Sequence, residues 1–346
     1  MEQVLSGQQQ HARCLMVDAE RLLRLRGLPK RRISQKARLL HHVYTWLRIV
    51  GESTYVLHDY TPSTSFLEAL DTQFRTPPSM DTIAANGNPR LDDFLRLEAK
   101  NSDSDLNIDE PKDPDIGLHD IHLQDSRVFS ETLYKQIYGI PETWLSLVSQ
   151  TTRLANVMET FRNARATGKY TSLEAWETLQ RRSVRLENMI CSFDLRRSQS
   201  HPENMDPSPK LHHHMLHALN GSLVIFFYRR IRKVHPAVLG GHVDNVISAL
   251  EKFNAALPLE GHTGPGTAWP AFVAGCEAIT STRREAILRC LDDAYSIRSF
   301  AAFTAARSIM TELWRRQDEH LGTNRGDRLP SWVDVLKDGN LWPLLC

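Results

Sequence analysis

Four histidines lie close together and could in principle bind a metal: His212, His213, His214 and His217. Neighbouring residues in a helix point about 100° apart, so three consecutive histidines cannot all reach one ion. His213 and His217 could do so, but no cysteine or carboxylate follows at the spacing of a zinc site. We therefore expect an exposed or capping cluster rather than a metal centre.

Paired carboxylates are the second group of residues that could carry out chemistry. They occur at Asp92 with Asp93 and at Asp292 with Asp293. In all-α terpene synthases such pairs hold magnesium around a diphosphate, but neither pair here has a third Asp three residues on. Asp244 begins a partial second magnesium motif that is one residue short. The chain also lacks the G-x-S-x-G, H-E-x-x-H and phosphate-loop motifs. We expect no catalytic residues, and an all-α enzyme with an unrecognised site stays an alternative.

The third group is a carboxylate in an apolar segment, Glu277 within residues 269–278, which read WPAFVAGCEA. Trp269 lies on the apolar face of this segment, and Pro270 is tolerated in a first helical turn. Gly275 would admit a neighbouring helix at close range, which we expect to be the one that carries Phe226 and Phe227. An unpaired buried carboxylate is costly. The expected partner of Glu277 is therefore Arg283 or Arg284.

Helical periodicity predicts the elements that position these groups. Apolar residues at steps of three and four predict helices over residues 33–50, 239–257 and 303–314. Residues 223–228 are apolar around the full circumference, which predicts a buried central helix, with the wall of a ligand pocket as the alternative. Thr171 and Thr282 each precede a Glu at capping-box spacing.

No segment alternates as a β-strand does, so the chain is predicted to be all-α. We expect antiparallel helix pairs packed as a solenoid-like array with a long acidic loop inserted.

Composition narrows the function further. The 346 residues carry 42 basic and 41 acidic side chains, which argues against binding of nucleic acid or membrane through bulk charge. No apolar run approaches the roughly 20 residues that span a bilayer. The five cysteines are scattered, which predicts neither disulfides nor a zinc site and favours a reducing compartment.

Charge also divides the chain. Residues 76–125 hold 12 acidic and four basic side chains, and their centre is almost without large apolar groups. This pattern is typical of a flexible loop. We predict N-terminal helices over residues 1–75, an acidic and largely flexible insert over 76–127, and a main helical domain over 128–346. A second break is expected at residues 197–209. Lys30, Arg31 and Arg32 are expected to lie in a solvated basic loop, with phosphate binding or a nuclear import sequence as the alternatives.

Several segments together resemble a known family. They are the WPAFVAGCEA segment with its following arginines, FFYRRI at residues 226–231, WRRQD at 314–318, SWVDVL at 331–336 and ARLLHHVY at 37–44. In this order they resemble the fungal-specific transcription factor domain of zinc-cluster regulators, nearest to the branch that regulates arginine metabolism and GABA catabolism. The motif residues that this resemblance singles out are Phe227, Tyr228, Arg229, Arg230, Trp269, Pro270, Gly275, Glu277, Arg283, Arg284, Trp314, Asp318 and Trp332.

The resemblance implies a nuclear regulatory region that controls transcription in response to an effector or partner. Its implied partners are the transcription machinery or other regulators, a small-molecule effector and a second copy of the chain, without a membrane. The family's six-cysteine zinc cluster does not occur in this sequence. Zinc and DNA binding are therefore expected only through an upstream domain of a longer protein. The alternative outside transcription is a helical protein-interaction scaffold.

Overall fold

The structure, a computed structural model, describes residues 15–16, 18–19, 22–23, 34–56, 133–169, 171–198, 207–257, 267–298, 301–322 and 328–345. Every regular element within these ranges is helical, which confirms the predicted all-α fold. Among these residues, none of the helices has the length and apolar character needed to cross a bilayer.

The described residues form two compact units. The first holds those up to residue 53 together with 133–188, and the second holds 54–56 together with those from 189 onward. The acidic insert at 76–127 and the basic loop at Lys30, Arg31 and Arg32 lie outside the described residues. The three-part division built around that insert therefore stays a prediction.

The first unit contains α1 (Gln35–Thr54), α2 (Tyr134–Tyr138), α3 (Glu142–Ala166) and the part of α4 (Leu173–Ser198) up to residue 188. The helix predicted over residues 33–50 is α1. Aromatic contacts join it to the next two helices, since the Trp46 ring stacks on Tyr138 at 5.1 Å and on Trp144 at 5.8 Å between centroids. These contacts give the unit an aromatic core.

Helix α3 is buried on all sides, because every residue from 144 to 158 is buried. Helix α3 is buried in this way although many of its side chains are polar. The Thr151 hydroxyl donates to the Leu147 carbonyl of the preceding turn at 2.7 Å, and Gln150 accepts a hydrogen bond from Arg182 of α4 at 2.7 Å. Such hydrogen bonds satisfy polar groups without water.

The second unit begins with α5 (Pro207–Phe227), a π-helical turn (Tyr228–Arg232) and a 3-10 turn (Pro236–Leu239). It continues with α6 (Gly240–Ala255), α7 (Ala268–Gly275), α8 (Ser281–Arg298), α9 (Ala301–Gly322) and α10 (Trp332–Asp338). The helices predicted over 239–257 and 303–314 are α6 and α9. All eight residues of α7 are buried, and α7 contacts α5, α6, α8 and α9.

The buried helix predicted over residues 223–228 is confirmed for 223–227, at the end of α5, where each residue is at most 4% exposed. Tyr228 is half-buried and belongs to the π turn. The predicted break at 197–209 is flanked by α4, which ends at Ser198, and α5, which begins at Pro207, and residues 199–206 lie outside the described part of the chain.

Two helix starts differ from prediction by one or two positions. The hydroxyl that accepts a backbone hydrogen bond at the start of α4 belongs to Ser172, not Thr171. At the start of α8 it belongs to Thr280, not Thr282. In both places hydroxyl residues are neighbours, so several registers satisfy the capping pattern.

Candidate functional site

The start of α7 is fixed against α5. Trp269 is 1% exposed, and its ring meets Phe226 edge to face at 5.9 Å. The Ser222 hydroxyl of α5 donates to the Pro270 carbonyl at 3.2 Å, which uses an acceptor in the first turn of α7. Thr267 stands at the N-cap position, but its side chain makes no capping hydrogen bond.

The other end of α7 approaches different helices. A Cβ at Gly275 would lie 2.2 Å from Met310 Sδ of α9 and 3.0 Å from Ile287 Cγ2 of α8. The expectation that Gly275 packs against the helix of Phe226 and Phe227 is therefore wrong. Gly275 follows Trp269 by six positions, or about 240° around the helix, so the two residues face different neighbours.

Trp314 of α9 marks the same close approach. Its Nε1–H donates to the Gly275 carbonyl at 3.0 Å in the buried interior. The guanidinium of Arg284 lies over the Trp314 ring, with Cζ 5.4 Å from the ring centroid. Packing, a hydrogen bond and a cation–π contact thus join α7, α8 and α9 at one point.

Glu277 follows α7 directly, and its side chain is 3% exposed. Its partner is Arg229, whose Nε lies 2.6 Å from Oε2, so the predicted pairing with Arg283 or Arg284 is wrong. The Nε–H is poorly aligned on that oxygen, which leaves both atoms without a well-formed hydrogen bond. The contact joins a buried carboxyl group to a half-buried guanidinium, and the carboxylate is incompletely compensated.

The π-helical turn positions Arg229. Its Nη1 donates to the Val234 carbonyl at 2.5 Å, which ties the side chain back to the chain just after the turn. The turn ends at Lys233, whose φ of 55° is a left-handed conformation that residues other than glycine rarely adopt. Single π turns are rare and occur frequently at functional sites.

Burial dominates the electrostatics at Glu277. It raises the pKa of this carboxyl from 4.5 to about 7, against the opposing effect of Arg229, which favours the ionised form. Burial and the neighbouring Glu277 charge also raise the pKa of the Cys276 thiol well above its ordinary value. Cys276 is therefore an unreactive thiol, whereas Glu277 titrates near neutral pH.

The two predicted partners of Glu277 bind elsewhere. Arg283 holds Asp244 of α6 through two hydrogen bonds of 2.7 and 2.8 Å. Arg284 donates to the Ala278 carbonyl at 3.1 Å and to Asp318 of α9 at 2.8 Å. Consecutive residues of a helix point about 100° apart, so the two arginines serve different neighbours.

Arg230 extends the arrangement to α10. Its guanidinium lies over the Trp332 ring, with Cζ 5.3 Å from the centroid, and Trp332 meets Phe272 of α7 edge to face at 5.8 Å. Motif residues from separate parts of the sequence thus surround the carboxyl end of α7. We name this group the α7 cluster: Arg229, Arg230, Gly275, Glu277, Arg284, Trp314, Asp318 and Trp332.

The remaining motif residues, among them Phe227, Tyr228 and Arg283, lie next to the α7 cluster. Phe227 is buried at the end of α5, and the Tyr228 ring meets it edge to face at 5.6 Å. The sequence does not predict that Asp244 is the partner of Arg283. Nor does it predict the role of Gln317, which is buried and donates to the Pro330 carbonyl at 3.1 Å. Both contacts join residues from separate elements, and no local sequence pattern indicates them.

Within the described ranges, the other candidate groups do not assemble into a site. His212 is exposed on α5, and the His213 and His217 rings lie 6.2 Å apart. Nowhere in the described ranges do three or more His, Cys, Asp or Glu side chains come together as metal ligands would. Asp292 pairs with Arg307, whereas Asp92 and Asp93 lie outside those ranges. The absence of a metal or cofactor stays a prediction.

Comparison with known proteins gives the family. Neither the curated proteins nor the solved structures gave a match. The sequence model of the fungal specific transcription factor domain matches the chain over residues 1–346. Because this match covers the whole chain, the protein belongs to the fungal-specific transcription factor domain family and has that family's role in the regulation of transcription.

Proposed function

We propose that this chain is the regulatory region of a fungal zinc-cluster transcription factor of the arginine-metabolism and GABA-catabolism branch. In this proposal it changes transcription in response to an effector or a partner protein and does not read DNA itself. The observation that supports it best is the α7 cluster, where the buried Arg229–Glu277 pair joins the end of α5 to the end of α7.

A buried ion pair is a poor device for stability alone. At Glu277 the cost of burying the charge outweighs the favourable effect of Arg229 on the ionised form, and apolar residues of similar volume would serve packing as well or better. Such a pair suits a site that must keep two arrangements close in free energy. The neighbouring cation–π contacts are Arg230 on Trp332 and Arg284 on Trp314. Through them a conformational change at Glu277 would be transmitted to α10 and α9.

Family membership gives the general setting, which is transcription in the nucleus with regulators or transcription machinery as partners. In this proposal the chain also binds a small-molecule effector, forms a homodimer and catalyses no reaction. Its nuclear import depends on Lys30, Arg31 and Arg32. The proposal also holds that this chain binds no zinc and that DNA contact belongs to a separate zinc-cluster domain.

A reporter assay tests the proposal. Residues 1–346 are fused to an unrelated DNA-binding domain in a fungal host, and output is compared for the wild type, Glu277→Gln and the control Asp244→Asn at equal protein abundance. We expect the wild-type fusion to change reporter output, Glu277→Gln to alter that output several-fold, and Asp244→Asn to behave as the wild type. A wild-type fusion without effect would overturn the proposal and favour the scaffold alternative.

The DNA part has its own test. The purified chain should form no sequence-selective complex with DNA at about 0.2 M salt, because charge-driven binding weakens steeply with salt. A selective complex that persists under these conditions would assign base reading to this chain.

A further inference from the structure

The Arg229–Glu277 contact has the geometry of a latch between a turn and a helix. Glu277 follows the fully buried α7, whereas Arg229 belongs to a short π turn that ends at a left-handed Lys233. Helix α7 is enclosed by four helices, whereas the turn is a five-residue segment at the end of α5. A change at the contact would therefore act on the turn before it acts on the helix.

Among the residues that the structure describes, the Glu277 carboxylate pairs with a single cation. Arg229 is the charged group that acts on it, through a contact whose N–H is misaligned. Other arginines of the neighbouring elements have partners of their own: Arg230 lies over Trp332, Arg232 lies over Phe227, Arg283 pairs with Asp244, and Arg284 binds Asp318 and the Ala278 carbonyl. Cys276, the adjacent titratable group, stays a neutral thiol. An ionised Glu277 thus has a strong tendency to gain water.

We propose that Glu277 and Arg229 form an ionisation-sensitive latch, in which loss of the proton from Glu277 releases the π turn Tyr228–Arg232 from the end of α7. With the proton in place, the neutral carboxyl is tolerated in the buried site and the turn stays closed. Once the proton is lost, opening the turn hydrates the carboxylate and carries Arg230 away from Trp332 of α10. This deepens the proposed function, on whose regulatory role it rests.

The direction follows from linkage. In the closed state burial holds the pKa of Glu277 at about 7, and in an open, hydrated state the pKa returns toward 4.5. The state with the higher pKa binds the proton more tightly, so rising pH favours the open state over the window between these two values. Opening should increase by roughly tenfold per pH unit within the window and level off above it.

Hydrogen exchange of the purified full chain tests the latch without any transcription readout. The Val234 amide is the reporter, because its N–H donates to the Tyr228 carbonyl at 3.1 Å across the turn. Its protection factor, corrected for the intrinsic exchange rate at each pH, is measured between pH 5 and 8. We expect protection to fall by roughly tenfold per unit between pH 5 and 7, while amides within α6 show no such slope.

Two variants and a control sharpen the result. Glu277→Gln keeps the shape without the titration, so the slope should disappear. Arg229→Met removes the cation that favours the ionised form, so the upper end of the window should move above pH 7. Asp244→Asn, which alters a partly exposed pair between α6 and α8, should keep the wild-type slope. A flat wild-type profile, or an equal slope in Glu277→Gln, would overturn the latch and leave the reporter result standing.

Discussion

The guanidinium of Arg283 lies directly over Gly240. A Cβ on this glycine would sit 2.8 Å from both Nη1 and Nη2. From that position the guanidinium reaches Asp244 one turn further along α6 with two hydrogen bonds. The bare backbone at Gly240 is therefore what allows α8 to hold the first turns of α6.

Replacing Gly240 with alanine should uncouple Arg283 from Asp244. The added methyl displaces the guanidinium, and because both side chains are partly exposed the pair contributes no more than about 1 kcal/mol. We expect Asp244→Asn to destabilise the wild type slightly and to have no effect in the Gly240→Ala background. Urea unfolding of the wild type, the two single variants and the double variant measures the coupling free energy between positions 240 and 244. Gly241→Ala is the matched control, since no atom lies within 4 Å of its added Cβ; equal coupling in both backgrounds would contradict the steric argument.

Gly275→Ala should destabilise the second unit by roughly 1–3 kcal/mol, because its methyl would overlap Met310 and crowd Ile287. Met310 is fully buried. Shortening it should relieve part of the overlap, so Gly275→Ala combined with Met310→Ala should lose less than the sum of the single losses. Thermal and urea unfolding measure this; strict additivity would mean that α7 shifts instead.

Trp314→Phe should cost about 1 kcal/mol. The change removes the Nε1–H donor from the Gly275 carbonyl, which keeps its second hydrogen bond from the Ala278 amide at 3.1 Å. The retained bond limits the loss. Leu321→Ala, at an exposed position of the same helix, serves as the control and should be near neutral in urea unfolding. A loss equal to that control would show that the indole N–H contributes nothing.

The global stability of the wild type should fall relative to Glu277→Gln as pH rises from about 4.5 to 7. The folded-state pKa of Glu277 is raised, so its stabilising contribution is complete below the unfolded value of 4.5 and is lost as pH approaches 7. The steepest slope is about 1.4 kcal/mol per pH unit. Urea unfolding at a series of pH values measures it. A difference that grows in favour of the wild type with pH would mean that pairing with Arg229 outweighs burial.

Periodicity sufficed to predict α1, α6 and α9, and the apolar stretch at 223–228 predicted a buried central helix. These properties depend on spacing along the chain, so a single sequence carries them. The motif residues could also be named, although their partners could not. Glu277 was expected to pair with the nearest arginines in sequence, and the structure pairs it with Arg229 of a segment far earlier in the chain.

That error has a physical cause. Arg283 and Arg284 are close in sequence to Glu277, but the start of α8 directs them toward Asp244 and Asp318. The direction of the Arg229 side chain is determined by the π turn, and hydrophobic periodicity in the sequence does not predict a π turn. Likewise, the neighbour of Gly275 depends on how α7 is rotated, which only tertiary packing determines.

The π turn has one more consequence, which concerns the number of residues rather than their chemistry. A π turn accommodates one residue more than an α-helical turn over the same stretch of axis. Deleting Tyr228 would allow α5 to continue as a regular helix over that stretch, so Arg229 would take the preceding position and point about 100° away from its present direction. The spacing of residues at this point, and not only the charge of Arg229, therefore decides whether Arg229 faces Glu277.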